Sequence, residues 1–390
     1  EDEETWVGAA LSPLGLTIAF AFIAASVSVL IILWKKSQKR FNFDQLRTRR
    51  LLISGALVLL IVAGLYSLST FGHKEKVFES PKEQAQFYRD QVGYRAKRVA
   101  PWLVAAGDSC WDQAQTNTVE ENFLYEQAAR YYQAAYETAQ VFNKKRDLVF
   151  PSDVSLGKIS IRPWGSQDEW QEVGPAQGTI TIPKKHEVDF SLTMNLPLER
   201  LAELKKLPAT AFQSLNCGET YCHDEVVEYF RNFAGLRYAS FYATHITDKA
   251  VQVLTETARG IESLNLGKTH ISDESIRLLS AFPRLRRLSL VETSITQIGA
   301  YHLSKLPSLR MLWLTQTALT DDALIYVGEL QDLRVLWLGN SGDLITDQGL
   351  KHLQNLRALR ELWIGSAAIT ADGIQQLRTH LPNCRILDNV

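Results

Sequence analysis

Leu309-Arg-Met-Leu312-Trp-Leu314 and Leu333-Arg-Val-Leu336-Trp-Leu338 are one short phrase met twice, and that phrase decides the fold. Upstream it occurs as Phe212-Gln-Ser-Leu215-Asn-Cys217, Leu236-Arg-Tyr-Ala239-Ser-Phe241, Ile261-Glu-Ser-Leu264-Asn-Leu266 and Leu285-Arg-Arg-Leu288-Ser-Leu290. Downstream come Leu359-Arg-Glu-Leu362-Trp-Ile364 and a truncated Cys384-Arg-Ile-Leu387. Successive copies start 24 to 26 residues apart. Each runs on into a Thr, an aliphatic residue, an acid and an amphipathic stretch, as in Thr269-His-Ile271-Ser-Asp273-Glu-Ser-Ile276. Self-similarity at this period marks a stacked architecture, in which no unit can bury its apolar face alone.

The unit, Leu-x-x-Leu-x-Leu-x-x-Thr-x-Ile-Thr/Ser-Asp-x-x-Leu-x-x-Leu, resembles the leucine-rich repeat family, in the subfamily related to the cysteine-containing type. The likeness runs over residues 188–390, with the repeat domain proper at 196–390. In that subfamily a Cys or Asn commonly fills the position held here by Thr220, Thr244, Thr269, Thr293 and Thr317. A threonine still offers a hydroxyl to the turn backbone. The resemblance implies an α/β solenoid with one strand and one helix per unit, and a recognition scaffold. It implies no particular ligand, because fold does not fix function.

The first 72 residues have a different character. Val7 to Trp34 and Leu51 to Phe71 contain no charged residue. Each meets the roughly 20 apolar residues that a helix needs to cross a bilayer core of about 30 Å. Between them, residues 35–50 carry Lys35, Lys36, Lys39, Arg40, Arg47, Arg49 and Arg50 against Asp44, and the N-terminus begins Glu1-Asp2-Glu3-Glu4. Basic short loops stay cytoplasmic. These flanks predict a two-helix membrane hairpin, spans 7–34 and 51–71, with residues 72–390 extracytoplasmic (periplasmic in a bacterium). No charge inside either span suggests an ion path. Ala21, Ala24, Ala25, Ser28, Gly55, Ala63 and Gly64 permit close helix packing, either of the hairpin on itself or against another membrane protein.

Residues 73–147 are expected to form a helical stalk. Ala85, Tyr88, Val92 and Arg95 fall roughly in line along a helix that Pro101 should bend or end. Thr118 and Glu121 have capping-box spacing before a helix carrying Leu124, Ala128, Tyr131, Ala135, Thr138 and Phe142. Residues 148–195 then switch to strand alternation at Ile159-Ser-Ile161 and Thr179-Ile-Thr-Ile182, with Trp164 and Trp170 between them. This region is expected to be a small β element that caps the first repeat.

Alignment of the repeats disposes of several residues that look chemical in isolation. Cys217 and Cys222 fall in aliphatic columns, and Cys384 takes a leading-Leu column, so core packing is expected rather than zinc. A disulfide between Cys217 and Cys222 is possible but not required. His245 and His270 share a column, about one strand spacing of 5 Å apart, without a visible third ligand. Thr247-Asp248, Ser272-Asp273, Thr320-Asp321 and Thr346-Asp347 are helix N-cap pairs. No phosphate loop, nucleophile elbow or His/Glu metal signature is present. The chain is therefore expected to be non-enzymatic, with no cofactor and no metal. A net charge of -1, from 42 basic and 43 acidic residues, argues against nucleic acid as a partner.

Between the two inward leucines of each strand lie Asn216, Ser240, Asn265, Ser289, Trp313, Trp337, Trp363 and Asp388. Strand alternation predicts that these project from the concave face. A second column is basic, with Arg237, Glu262, Arg286, Arg310, Arg334, Arg360 and Arg385; Tyr238 and Met311 lie beside it. Trp, Tyr, Met and Arg are what interface cores enrich. The expected site is Trp313, Trp337, Trp363, Arg286, Arg310, Arg334, Arg360, Tyr238 and Met311, with Arg385 and Asp388 at a terminal edge that a partner or second copy is expected to cover. The function expected from it is a protein–protein interaction scaffold, an accessory subunit of a membrane complex. The alternative is an envelope glycan-binding protein with the tryptophans as stacking platforms and Glu361 and Asp388 as polar contacts. An enzyme ranks third.

Overall fold

A computed structural model describes residues 78–194, 196–339, 344–365 and 368–388. Its centre is an eleven-stranded sheet, in the order β13-β12-β11-β10-β9-β8-β7-β6-β5-β2-β3. The eight strands from β6 (Ser214–Asn216) to β13 (Arg385–Asp388) are parallel neighbours in sequence order: β7 Tyr238–Ser240, β8 Ser263–Asn265, β9 Arg287–Ser289, β10 Met311–Trp313, β11 Val335–Trp337 and β12 Glu361–Ile364. A helical segment follows each strand from β6 to β12, for example Asp248–Thr257 and Asp321–Val327. The described architecture is thus an α/β solenoid of the leucine-rich-repeat type.

The apolar columns explain why it stacks. Leu264, Leu288, Leu312, Leu336 and Leu362 are register partners across successive strands and are all buried. One continuous core runs from Leu148 to Ile386. Each fully buried leucine contributes about 1.5–3 kcal/mol. Cys217 and Cys222 lie in this core as free thiols with no exposed surface. Burial, then the neighbouring Cys222 thiol, raises the Cys217 thiol well above its ordinary value. The first repeats are wider and aromatic: Phe212 stacks on Phe190 at 5.0 Å and touches Phe233 at 4.8 Å.

Two polar ladders recur along the stack, one within each unit and one between units. Thr220, Thr244, Thr269, Thr293 and Thr317 each donate a hydroxyl to the carbonyl three residues earlier at 2.6–2.7 Å, closing the turn after the strand. The residues just before them, Glu219, Ala243, Lys268, Glu292 and Gln316, have φ between 54° and 59°. Five left-handed non-glycine residues in register mean that the turn geometry is imposed by stacking, against about 1 kcal/mol of local strain each.

The second ladder runs through the helix starts. The Asp opening one helix accepts both the backbone N–H and the hydroxyl of the next helix's N-cap. Asp224 holds Thr247, Asp248 holds Ser272, Asp273 holds Thr296, Asp321 holds Thr346 and Asp347 holds Thr370, at 2.5–2.9 Å. The sequence shows these acids as partners of their own helix dipoles; they are also clasps between neighbours. One rung is missing. Gln297 stands where the others have Asp, and the Thr320 side chain makes no cap hydrogen bond.

The cap region is built into the sheet. β2 (Gly157–Pro163) pairs antiparallel with β5 (His186–Leu192), which lies parallel to β6, so the repeat sheet continues without a break into an antiparallel end. β3 (Gln171–Pro175) forms the outer edge, with Gly174, Pro175 and a Lys158–Glu172 ion pair blunting it. The two expected strands separate: Ile159 and Ile161 lie in β2, whereas β4 (Thr179–Ile182) pairs with β1 (Arg146–Val149) in a sheet of its own.

Four helices precede the cap. They are α1 Pro81–Gln91, α2 Tyr94–Val99, α3 Pro101–Thr116 and α4 Glu121–Val141. The helix before Pro101 ends at Val99, as expected, and Pro101 opens α3 at its first position, where its missing N–H costs nothing. The expected Thr118 capping box does not form; Asn117 accepts the Val119 and Glu120 N–H groups instead. Leu124, Ala128, Tyr131, Ala135 and Thr138 form the buried stripe of α4. The helices pack against the repeats: Tyr131 accepts the Arg259 N–H at 2.9 Å, and Ala234 joins the helical core.

The expected integral-membrane placement is corrected here. Among the described residues no helix is long and apolar enough to cross a membrane. The longest, α4, carries Glu121, Glu126, Arg130 and Glu137. Both expected spans, 7–34 and 51–71, and the basic loop 35–50 lie outside the described residues. The two-span assignment, the lipid bilayer as partner and the extracytoplasmic location of 72–390 are not carried further.

The gap in the ladder yields a stability prediction. Asp224 clasps Thr247 with Ala250 three residues on, and Asp248 clasps Ser272 with Ser275 three residues on, so a Cβ at the equivalent Ala323 is compatible with an acid at 297. Gln297→Asp should restore the Thr320 clasp and raise the free energy of unfolding by about 1 kcal/mol, the net worth of a typical hydrogen bond. Urea denaturation beside Asp321→Ala, expected to lose a similar amount or more, measures both.

Candidate functional site

The candidate site is on the sheet face turned away from the leucines, the face expected to be concave. Alternation along three-residue strands leaves two side chains per strand there, and both rows are half-buried. One row runs Ser240, Asn265, Ser289, Trp313, Trp337, Trp363 and Leu387. The other runs Tyr238, Ser263, Arg287, Met311, Val335, Glu361 and Arg385.

Parallel register brings the three indoles together. Trp337 and Trp363 rings are 4.8 Å apart at 37°, the strand spacing itself, and Trp313 meets Trp337 edge-on at 6.2 Å. The Trp363 Nε1 donates to Glu361 Oε1 at 2.6 Å. The Trp337 Nε1 is covered by its neighbours and has no partner among the described residues. Met311 lies beside Trp313 in the parallel row.

The arginine column flanks this wall. Arg310 pairs with Asp332 at 2.6 Å. Arg286, Arg334 and Arg360 are exposed, and among the described residues none makes an ion pair. Consecutive backbone hydrogen bonds, Arg310 to Arg286, Arg334 to Arg310 and Arg360 to Arg334, keep them in one file.

The last strand departs from the sequence alignment. Arg385 pairs with Glu361, Ile386 with Leu362 and Leu387 with Trp363. Asp388 therefore does not extend the tryptophan row: it pairs with Ile364 and faces Arg378 at 3.6 Å. Ile386 is the buried side chain, and Leu387 takes the place expected for Asp388. A period-2 pattern cannot choose between two adjacent aliphatic residues; the register of β12 does.

Tyr238 is not part of the tryptophan wall. Three strand spacings separate it from Trp313, about 14 Å. It sits instead among guanidinium groups, with Arg162 at 4.7 Å, Arg237 at 5.2 Å and Arg287 at 5.7 Å. Beneath them Glu187, with no exposed surface, bridges Arg162 at 2.9 Å and Arg237. Arg237 goes on to Glu262, which also takes Arg284. Trp170 stacks on Arg162 and Trp102 on Arg237, and Trp164 stacks on Trp102 at 5.8 Å. This node joins α3, β2, β5 and the first repeats. Sequence reasoning passed over Arg162, Glu187 and Arg284; the available signal was Glu262, an acid inside a basic column.

The remaining candidates are modest. His245 and His270 stack at 5.7 Å, with Tyr221 on the other side of His245 at 6.4 Å, all exposed. Among the described residues no group of three or more His, Cys, Asp or Glu is arranged to hold a metal. An open cleft of about 630 Å³ in the helical layer is lined by Arg89, Asp90, Lys97, Asp108 and Tyr132; Tyr132 donates to Asp108 at 2.7 Å and Arg89 lies 4.0 Å from the same carboxylate.

No protein-family model matches the chain, and no curated protein does. Among solved structures an internalin from Listeria monocytogenes is similar, at 20% identity and a TM-score of 0.38, over 50% of this chain and 59% of that one. The chain spans less than two thirds of that protein, and a likeness this distant says nothing about function.

The buried node makes a prediction of its own. Glu187→Gln leaves two guanidinium groups facing a neutral amide inside the protein, and should cost about 3 kcal/mol or more. Chemical denaturation of the full chain measures it; a loss below 1 kcal/mol would show that water reaches the node.

Proposed function

We propose that this protein is a non-enzymatic protein–protein interaction scaffold, an accessory subunit of a larger assembly. Its binding surface is the sheet face carrying Trp313, Trp337 and Trp363 with the flanking arginines. The observation that carries the reading is the indole wall: three half-buried tryptophans in lateral contact, on the sheet face opposite the leucine core. Contiguous aromatic surface of this kind is uncommon on a free monomer, and Trp and Arg are the residues that anchor interfaces. The repeat core supplies a rigid support, so little ordering entropy is lost on binding. The role needs no cofactor, metal or nucleic acid.

Glycan binding is the second reading, because stacked indoles also suit sugar rings. The carboxylates assigned to it are engaged elsewhere, Glu361 with Trp363 and Asp388 with Arg378, which favours the protein partner.

Co-purification of the full chain tests the role. Trp313→Ser/Trp337→Ser/Trp363→Ser should lose a specific protein partner at least 10-fold, with circular dichroism unchanged. Ile298→Ser/Ile325→Ser, on exposed helical positions, should keep it. The opposite pattern, or oligosaccharide binding that depends on the indoles, defeats the scaffold reading.

A further inference from the structure

The charge on the binding face is lopsided in a way that identifies the partner's chemistry. Its carboxylates are already spoken for. Glu361 accepts from the Trp363 indole, Glu262 lies between Arg237 and Arg284, and Asp332 holds Arg310. Asp189, at the far end of the second row, accepts from Ser191 at 2.9 Å. The guanidinium groups are not spoken for. Arg286, Arg287, Arg334, Arg360 and Arg385 make no ion pair among the described residues. A basic partner would meet only carboxylates that already have donors. An acidic one would meet free forks, which bind carboxylates in a two-toothed geometry.

Position matters as much as sign. Arg334 and Arg360 stand just ahead of neighbouring strands, three residues before Trp337 and Trp363, so their backbones run about 5 Å apart, with Arg286 about 10 Å from Arg334. The Trp337 indole N–H, covered and unpartnered, adds a donor at the centre of the apolar wall. A donor in that position suits a backbone or side-chain oxygen. The face as a whole offers an apolar stripe about 10 Å along the strands from a row of cations, and the two acids in the second row, Glu361 and Asp189, each already accept a hydrogen bond from a neighbour.

We propose that the partner docks through an acidic peptide segment. Its aromatic or aliphatic side chains seat on Trp313, Trp337 and Trp363, and its Asp or Glu residues pair with Arg334, Arg360 and Arg286. This deepens the scaffold reading and rests on it.

The test is selection of a random 12-residue peptide library on the purified full chain, against Arg334→Gln/Arg360→Gln and Trp337→Ala as separate baits. Clones selected on the wild-type chain should be enriched at least 3-fold in Asp plus Glu over the starting library. Their binding should fall at least 10-fold on the double arginine variant and severalfold between 50 and 300 mM salt, as screened ion pairs require. Trp337→Ala should weaken the same clones. Selected clones of neutral or basic composition, still lost with Trp337→Ala, overturn the acidic partner and leave the scaffold intact. Recovery of no clone that depends on Trp337 overturns the acidic-segment proposal, and with indole-dependent binding of neutral oligosaccharide it removes the scaffold reading as well. Binding of a sulfated oligosaccharide in place of acidic peptides overturns both.

Discussion

A unit of two dozen residues cannot bury its own leucines. Every other feature of the repeat region follows from that constraint. The leucine columns are buried only because each strand lies in register on the next, and the register is held by parallel backbone hydrogen bonds about every 4.8 Å. Stacking is strong enough to hold five non-glycine residues in left-handed turns. It also converts columns of sequence into contiguous surfaces: a leucine column becomes a core, a threonine column a turn clasp, a tryptophan column a wall. The same constraint explains the antiparallel end. The first repeat would otherwise expose Phe212 and its neighbours, and β5 with Phe190 covers them.

The two aromatic and basic neighbourhoods on the outer sheet face look alike in composition and differ in physics. At the first repeats, Glu187 and Glu262 pair with Arg162, Arg237 and Arg284, and the aromatic rings stack on the guanidinium faces. The node holds the helical layer, the cap and the repeats together, and three of its buried donors, Arg162 Nη2, Arg237 Nε and Arg284 Nε, have no partner among the described residues. At the later repeats the aromatic rings stack on each other, and of the flanking arginines only Arg310 is paired among the described residues. A buried ion cluster is weak evidence for stability in itself, because desolvation offsets much of the attraction. Its value here is geometric, since it fixes one angle among three elements.

Much of this was legible in the sequence. The period, the burial of Cys217 and Cys222 and the indole column all follow from stacking the copies of one phrase. What escaped has specific causes. Arg162 and Glu187 are direct cross-strand partners in the cap, but the strand that pairs them has no repeat to be aligned with. Arg237 and Glu262 reach them from elsewhere in the chain, and no local pattern announces a contact between segments so far apart. The slip at Asp388 reflects two adjacent aliphatic residues, either of which satisfies the alternation. The acid clasps between helices were half visible: the Thr-Asp pairs announced a cap, while the second job of each Asp belongs to the next unit and so to tertiary structure. The hairpin inferred from apolar windows lies outside the described residues, and no described helix supplies a span.

The junction at Tyr131 and Trp102 has a mechanical side. A helical layer that touched the solenoid at a single polar contact would swivel. Here the Tyr131 hydroxyl holds the Arg259 backbone, Arg259 reaches back to Gln113, and Trp102 is wedged so tightly over Gly260 that a Cβ there would fall 2.7 Å from the indole. The helical layer is thereby seated at once on the loop that enters β8 and, through Trp102 against Arg237, on the one that enters β7, so neither loop can shift without disturbing the other.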